Sequence, residues 1–138
     1  GMANLSEIKK VYNFFKKKKV ELVLLHCISS YPNKEENSYL SNINYLKKKF
    51  SCEVGLSDHT NGIKIPIYAN VLGAKIIEKH FKINSKHKCV DAPVSIDPYQ
   101  LKSLKNEMIR ITKILSSVKF GVRKEERIAR QFKRKKIF

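Results

Sequence analysis

The stretch GLSDHTNG at residues 55–62 ends a short apolar run in a serine, an acid and a histidine. Further on, IIEKHF at 76–81 ends another run in an acid, a lysine and a histidine. Such groups are costly in a core and useful in a site. Imidazole binds Mn, Fe, Zn, Ni and Cu with weak discrimination. Two histidines, His59 and His80, without a third fixed ligand would leave positions open for water and substrate, as in a catalytic rather than a structural metal site. Asp58 and Glu78 set a carboxylate beside each. A single core histidine is usually just hydrogen-bonded. Two at neighbouring strand ends leave that reading and the ligand reading evenly balanced. Ser57 alone signals only a strand-end cap, and Tyr31-Pro32 alone only a turn.

These residues are positioned by an alternation of helices and short strands. Asn4 and Glu7 have capping-box spacing, and Ile8, Val11, Tyr12 and Phe15 follow as a helical stripe. VELVLLHC (20–27) is nearly continuous and apolar, as expected of a parallel strand buried on both faces. SYPNKEEN is a loop, and SYLSNINYLKKKF (38–50) a helix carrying Tyr39, Leu40, Ile43, Leu46 and Phe50. CEVGLS is a second strand. NGIKIPIYANVLG is a helix with Pro66 near its first turn and Gly73 as its C-cap. AKIIEKHF is a third strand, and residues 82–96 form a loop. Asp97, Pro98 and Gln100 then open a long helix whose expected buried stripe is Leu101, Leu104, Met108, Ile111 and Leu115. After Gly121 the chain becomes basic and loses periodicity.

The order α-β-α-β-α-β-α implies right-handed βαβ units, a parallel sheet and an α/β fold. Side chains alternate along a strand. Leu22, Leu24 and His26 therefore share a face of the first strand, Gly55, Ser57 and His59 of the second, and Ile76, Glu78 and His80 of the third. Leu56, Ile77 and Phe81 fall opposite, where helices are expected. The polar residues collect at the C-terminal ends of consecutive parallel strands, where α/β proteins place their sites.

A net charge of +17 raises the question of an anionic partner, but the basic residues are 24 Lys against 5 Arg, dispersed along the chain. Arg is the better residue for bidentate phosphate and base contacts. The balance favours solvated surface, and a nucleic-acid partner is not expected. Cys27, Cys52 and Cys89 are an odd set without CxxC spacing, which points to a reducing, cytoplasmic setting. No apolar run approaches the ~18 residues of a membrane span.

LLHCISSYPNKEENSYLSNI, VGLSDHT, LGAKIIEKHF and DAPVSIDPYQL, in this order and with family-like spacing, resemble the C-terminal half of the catalytic barrel of the sialic acid synthase (N-acetylneuraminate synthase) family. GMANLSEI resembles the stretch that follows that barrel's fifth strand. The resemblance implies a partial TIM (β/α)8 barrel over residues 1–117, made of the last three strand-helix units. Residues 118–138 would be a basic tail or linker towards an antifreeze-like domain that the sequence lacks. It implies condensation of phosphoenolpyruvate with an N-acylated mannosamine-type sugar: the enol carbon attacks the sugar aldehyde, water attacks the resulting oxocarbenium, and phosphate leaves. It implies a divalent cation, manganese with magnesium as the alternative, held by His59 and His80. By the same resemblance Ser57 contacts the phosphoenolpyruvate phosphate, Glu78 is the catalytic acid/base or orienting group, and Tyr31 and Asp91 line the sugar pocket. Asp58 is expected to orient a ligand histidine from behind.

Two departures stand out. The family usually has Asp-His where this sequence has Asp91-Ala92. His26-Cys27 resembles the sialic and legionaminic branches, whereas pseudaminic synthases tend to carry Lys there. The first five strands, with the family's phosphate-binding lysines, are not in this sequence. The expectation is therefore an inactive fragment that self-associates as a homo-oligomer or is completed by a separate chain carrying those strands. The competing class is a basic, non-catalytic binding module derived from such a barrel.

Overall fold

The computed structural model describes residues 1–132; the end of the expected basic tail, 133–138, lies outside the described residues. Helix α1 (Leu5–Lys17) is followed by strand β1 (Val23–Cys27), helix α2 (Ser41–Phe50), strand β2 (Glu53–Asp58), helix α3 (Lys64–Val71), strand β3 (Ile77–Lys79) and helix α4 (Pro98–Ile114). The described part of the tail holds a 3-10 turn (Lys124–Glu126) and one helical turn, α5 (Arg127–Arg130). No helix among the described residues is long and apolar enough to cross a membrane.

The helix starts follow their local chemistry. Asn4 accepts from the backbone N–H of Ser6 and Glu7, and Glu7 accepts from the Asn4 N–H at 2.7 Å, closing the capping box. Asp97 and Gln100 do the same for α4, with Pro98 in its first turn. Gly73 takes the left-handed conformation, φ 94°, just past α3.

The sheet is parallel, in the order β1-β2-β3. Its register aligns Leu24 with Val54 and His26 with Leu56, and on the other side Leu56 with Ile77 and Ser57 with Glu78. One face carries Val54 and Leu56 into the core, where Ile43, Leu46 and Phe50 of α2 and Ile65 and Ala69 of α3 cover them. On the opposite face Leu25 and Ile76 stay 36% and 45% exposed.

Several expectations change. Helix α2 starts at Ser41, so Tyr39 lies before it, at φ 43° and exposed. Strand β3 has three residues: Lys75, before it, still bonds Val54 O of β2 through its N–H, whereas Phe81, after it, leaves for a bridge with Ile96. Phe81 is half exposed instead of packed under a helix. Of the expected α4 stripe only Leu104 is buried; Leu101 and Leu115 are 46% and 58% exposed. Helix α4 packs chiefly on α3, and one main neighbour cannot cover a stripe that wide.

Candidate active site

The register places Cys27, Ser57 and Glu78 side by side across the three strands, near their C-terminal ends. Cross-strand neighbours on one face lie within side-chain reach. Ser57 Oγ accordingly donates to Glu78 Oε1 at 2.7 Å. Ser57 is buried and Glu78 exposed, so the carboxylate opens to the cleft while the hydroxyl fixes it from the sheet side.

One residue beyond β2 and one beyond β3 the chain presents a histidine. The His59 and His80 ring centres are 5.4 Å apart. Tyr31, from the loop after β1, lays its ring on His59 at 4.0 Å and meets His80 edge-on at 5.7 Å. The backbone beneath is pinned on both sides. Asn33 N–H donates to His59 O at 2.8 Å, extending the sheet into the Tyr31 loop. Ile96 N–H donates to His80 O, also at 2.8 Å.

The His59 tautomer follows from its partner. Nδ1 lies 2.9 Å from Ile28 O. A carbonyl can only accept, so Nδ1 carries the proton and Nε2 presents its lone pair. This is how metal-ligating histidines are usually held. His80 Nδ1 lies 3.6 Å from the Asp91 carboxylate. The cleft lined by Ser57, Asp58, His59, Glu78, Lys79 and His80 has a volume of about 210 Å³. Among the described residues no group of three His, Cys, Asp or Glu side chains converges to hold a metal. A divalent cation there would rest on two imidazoles, its other positions open to water or substrate oxygens, and the donor set fits that role.

Two sequence expectations are corrected. Asp58 makes no direct hydrogen bond to either histidine ring. Its carboxylate accepts from Lys79 Nζ at 2.6 Å and from the Thr60 N–H and hydroxyl at 3.1 and 2.9 Å. It points to the helix-covered side, because alternation turns residue 58 away from 57. The carboxylate nearest a candidate ligand is Asp91, expected only in the sugar pocket. His26 is in register with Leu56, which puts it on the core face, where Nε2 donates to Ser38 O at 2.7 Å; it is a satisfied core histidine. The same alternation brings Cys27 to the site face, with Sγ 4.0 Å from His59 Nδ1. Sequence reasoning missed Cys27 and Lys79. The β1–β2 register would have found the first, and pairing of residue 58 with 79 the second.

Residues 1–120 match the sequence model of the NeuB family. The chain belongs to the NeuB family. It is 38% identical over 127 residues to the N,N'-diacetyllegionaminic acid synthase of Campylobacter jejuni, covering 90% of this chain and 37% of that one. It is 41% identical over 105 residues to the pseudaminic acid synthase of the same organism, covering 75% and 31%. Among solved structures it resembles the N-acetylneuraminic acid (sialic acid) synthetase of Leptospira borgpetersenii, with a TM-score of 0.86 and 41% identity over 96% of this chain and 46% of that one. The NeuB match and these relatives bear out the expected family. The chain spans about a third of the length of the curated relatives it matches.

Proposed function

We propose that this NeuB chain is the metal-binding part of a nonulosonic acid synthase, with its three strands standing as the last three of a (β/α)8 barrel. The reaction is the condensation of phosphoenolpyruvate with an N-acylated mannosamine-type sugar, releasing phosphate. The carrying observation is the convergence of His59, His80 and Tyr31 beside the Ser57–Glu78 pair at the C-terminal strand ends.

A divalent cation on His59 and His80, Mn²⁺ or else Mg²⁺, would supply Lewis acidity to the sugar's aldehyde oxygen. The Ile28 carbonyl keeps the His59 Nε2 lone pair aimed at the cleft. Tyr31 keeps both rings in place and offers a sugar an aromatic surface. Asp91, half exposed at the cleft's edge, can accept from a sugar hydroxyl. A serine hydroxyl has one proton to give. Ser57 gives it to Glu78 here, and would give it to the phosphate when phosphoenolpyruvate is bound. Glu78, freed of that bond, would accept a proton from the attacking water. The donors that neutralise the phosphate and carboxylate of phosphoenolpyruvate would come from elsewhere in the barrel. The exposed Leu25 and Ile76 lie on the face that such a barrel would cover.

The test is phosphate release from phosphoenolpyruvate, N-acetylmannosamine and Mn²⁺, by the 138-residue chain alone and with a second chain carrying strands one to five of a relative. The expected result is no turnover alone and metal-dependent turnover together. Turnover of about 1 per second or more by the chain alone would overturn the incompleteness, since that is the ordinary enzyme range. No turnover in either case, with a stable complex formed, would overturn the activity.

A further inference from the structure

Flanking the two histidines is a charge pair whose side chains hydrogen-bond neither imidazole. Lys79 and Asp58 are register partners in β2 and β3, and their side chains are each only 3% exposed. Lys79 Nζ donates to Asp58 Oδ2 at 2.6 Å and to Thr60 O at 2.5 Å. Those two acceptors belong to the residues on either side of His59. Lys79 itself immediately precedes His80. One ammonium thus grips both flanks of the first candidate ligand from the residue next to the second. Asp58 also accepts the Thr60 N–H and hydroxyl across His59, so side-chain bonds brace the short extended segment 58–60 that carries the histidine.

Burial of an ion pair is poor evidence for a stability role, because desolvation offsets the attraction and well-packed apolar replacements are often neutral or better. What such a pair does supply is geometry. Here it joins two short strand ends that β3, three residues long, would hold only weakly by its own ladder. We infer that the Asp58–Lys79 pair is a positioning clamp that sets the separation and aim of the His59 and His80 imidazoles for one divalent cation. Asp58 and Lys79 are positioning residues in this scheme. They act through the backbone of 58–60 and touch neither metal nor substrate. The inference rests on the metal reading of the two histidines, and the experiment separates the two.

The full 138-residue chain is titrated with Co²⁺, followed by its visible absorption and by paramagnetic shifts of imidazole protons. The double variant Asp58→Leu with Lys79→Met removes both charges together and is expected to keep the fold by circular dichroism. Its Co²⁺ affinity is expected to fall 10- to 100-fold, the usual effect of losing a group that orients ligands, with an altered spectrum. Thr60→Val, nearly isosteric, removes one donor to Asp58 and is expected to give a smaller loss in the same direction. It serves as the deciding variant if the double one does not fold. A folded variant with wild-type affinity and spectrum overturns the clamp alone. If the wild-type chain shows no Co²⁺ binding that His59→Ala abolishes, the metal reading falls and the clamp with it.

Discussion

Gly55 sits in the middle of β2, on the site face, two residues before Ser57. A Cβ built there would stand 2.4 Å from the backbone oxygen of Ile76 and 2.7 Å from Leu25 Cδ2. Carbon–oxygen contacts between strands normally begin near 3.3 Å, so Gly55→Ala asks the Ile76 carbonyl to retreat by about 0.9 Å. That oxygen accepts the Leu56 N–H at 2.9 Å, the bond that leads β3 into register. A retreat of that size carries it past the ~3.2 Å limit of a good bond. Leaving the buried N–H short of its partner costs about 1–3 kcal/mol. The crowding of Leu25 is an overpacking cost of about 1–3 kcal/mol. Alanine restricts the unfolded chain and returns about 0.4–1 kcal/mol, since Gly55 needs no left-handed φ. The two costs share one displacement, so the expected net loss is about 2–4 kcal/mol. With a urea m-value of about 1–3 kcal/mol/M, the midpoint should fall by roughly 1 M or more at unchanged m. The same displacement moves Glu78 off Ser57, so metal-dependent phosphate release in the completed enzyme should fall as well. An unchanged urea midpoint for Gly55→Ala would show that the strands separate freely here and would refute the close-approach argument.

Three further outcomes are expected. His59→Ala or His80→Ala should abolish metal-dependent turnover in a completed barrel, and His59→Ala should also cost about 1–3 kcal/mol by leaving Ile28 O without its donor; normal Mn²⁺-dependent rates in either variant would remove that residue from the ligand set. Burial pushes the Cys52 thiol above its ordinary range, so its neutral form persists to higher pH, and alkylation by iodoacetamide near pH 8 should be slow and accelerate as pH rises; fast labelling at neutral pH contradicts that. If the +17 charge is solvated surface, DNA binding should fade as salt approaches 0.15 M, and tight sequence-selective binding there would favour the basic-module reading instead.

What could be read from the amino-acid order was whatever depends on near neighbours. The capping boxes at Asn4–Glu7 and Asp97–Gln100 close within one helical turn, so their residues carry the whole signal. The apolar runs before His26, Asp58 and Glu78 announce parallel strands, although only β2 is buried along most of its length, and the SDHT and EKHF pair marks the site. Facing is different, because it depends on register between segments far apart in sequence. Alternation put His26 with Leu24, but only the pairing with Leu56 showed that this face meets helices, leaving Cys27 on the site side. Likewise a lone Asp58 beside His59 looks like a carboxylate bonded to that imidazole until its partner across the sheet is known. Lys79 claims it, because a buried carboxylate pairs with the nearest buried cation. The α4 stripe has the right period, yet burial needs a second surface to meet, and periodicity does not say whether that surface is there. The stacking of Tyr31 on His59 likewise arises from a loop held to the far strand by one backbone bond, Asn33 N–H to His59 O. Such a bond exists only once the chain has folded back on itself.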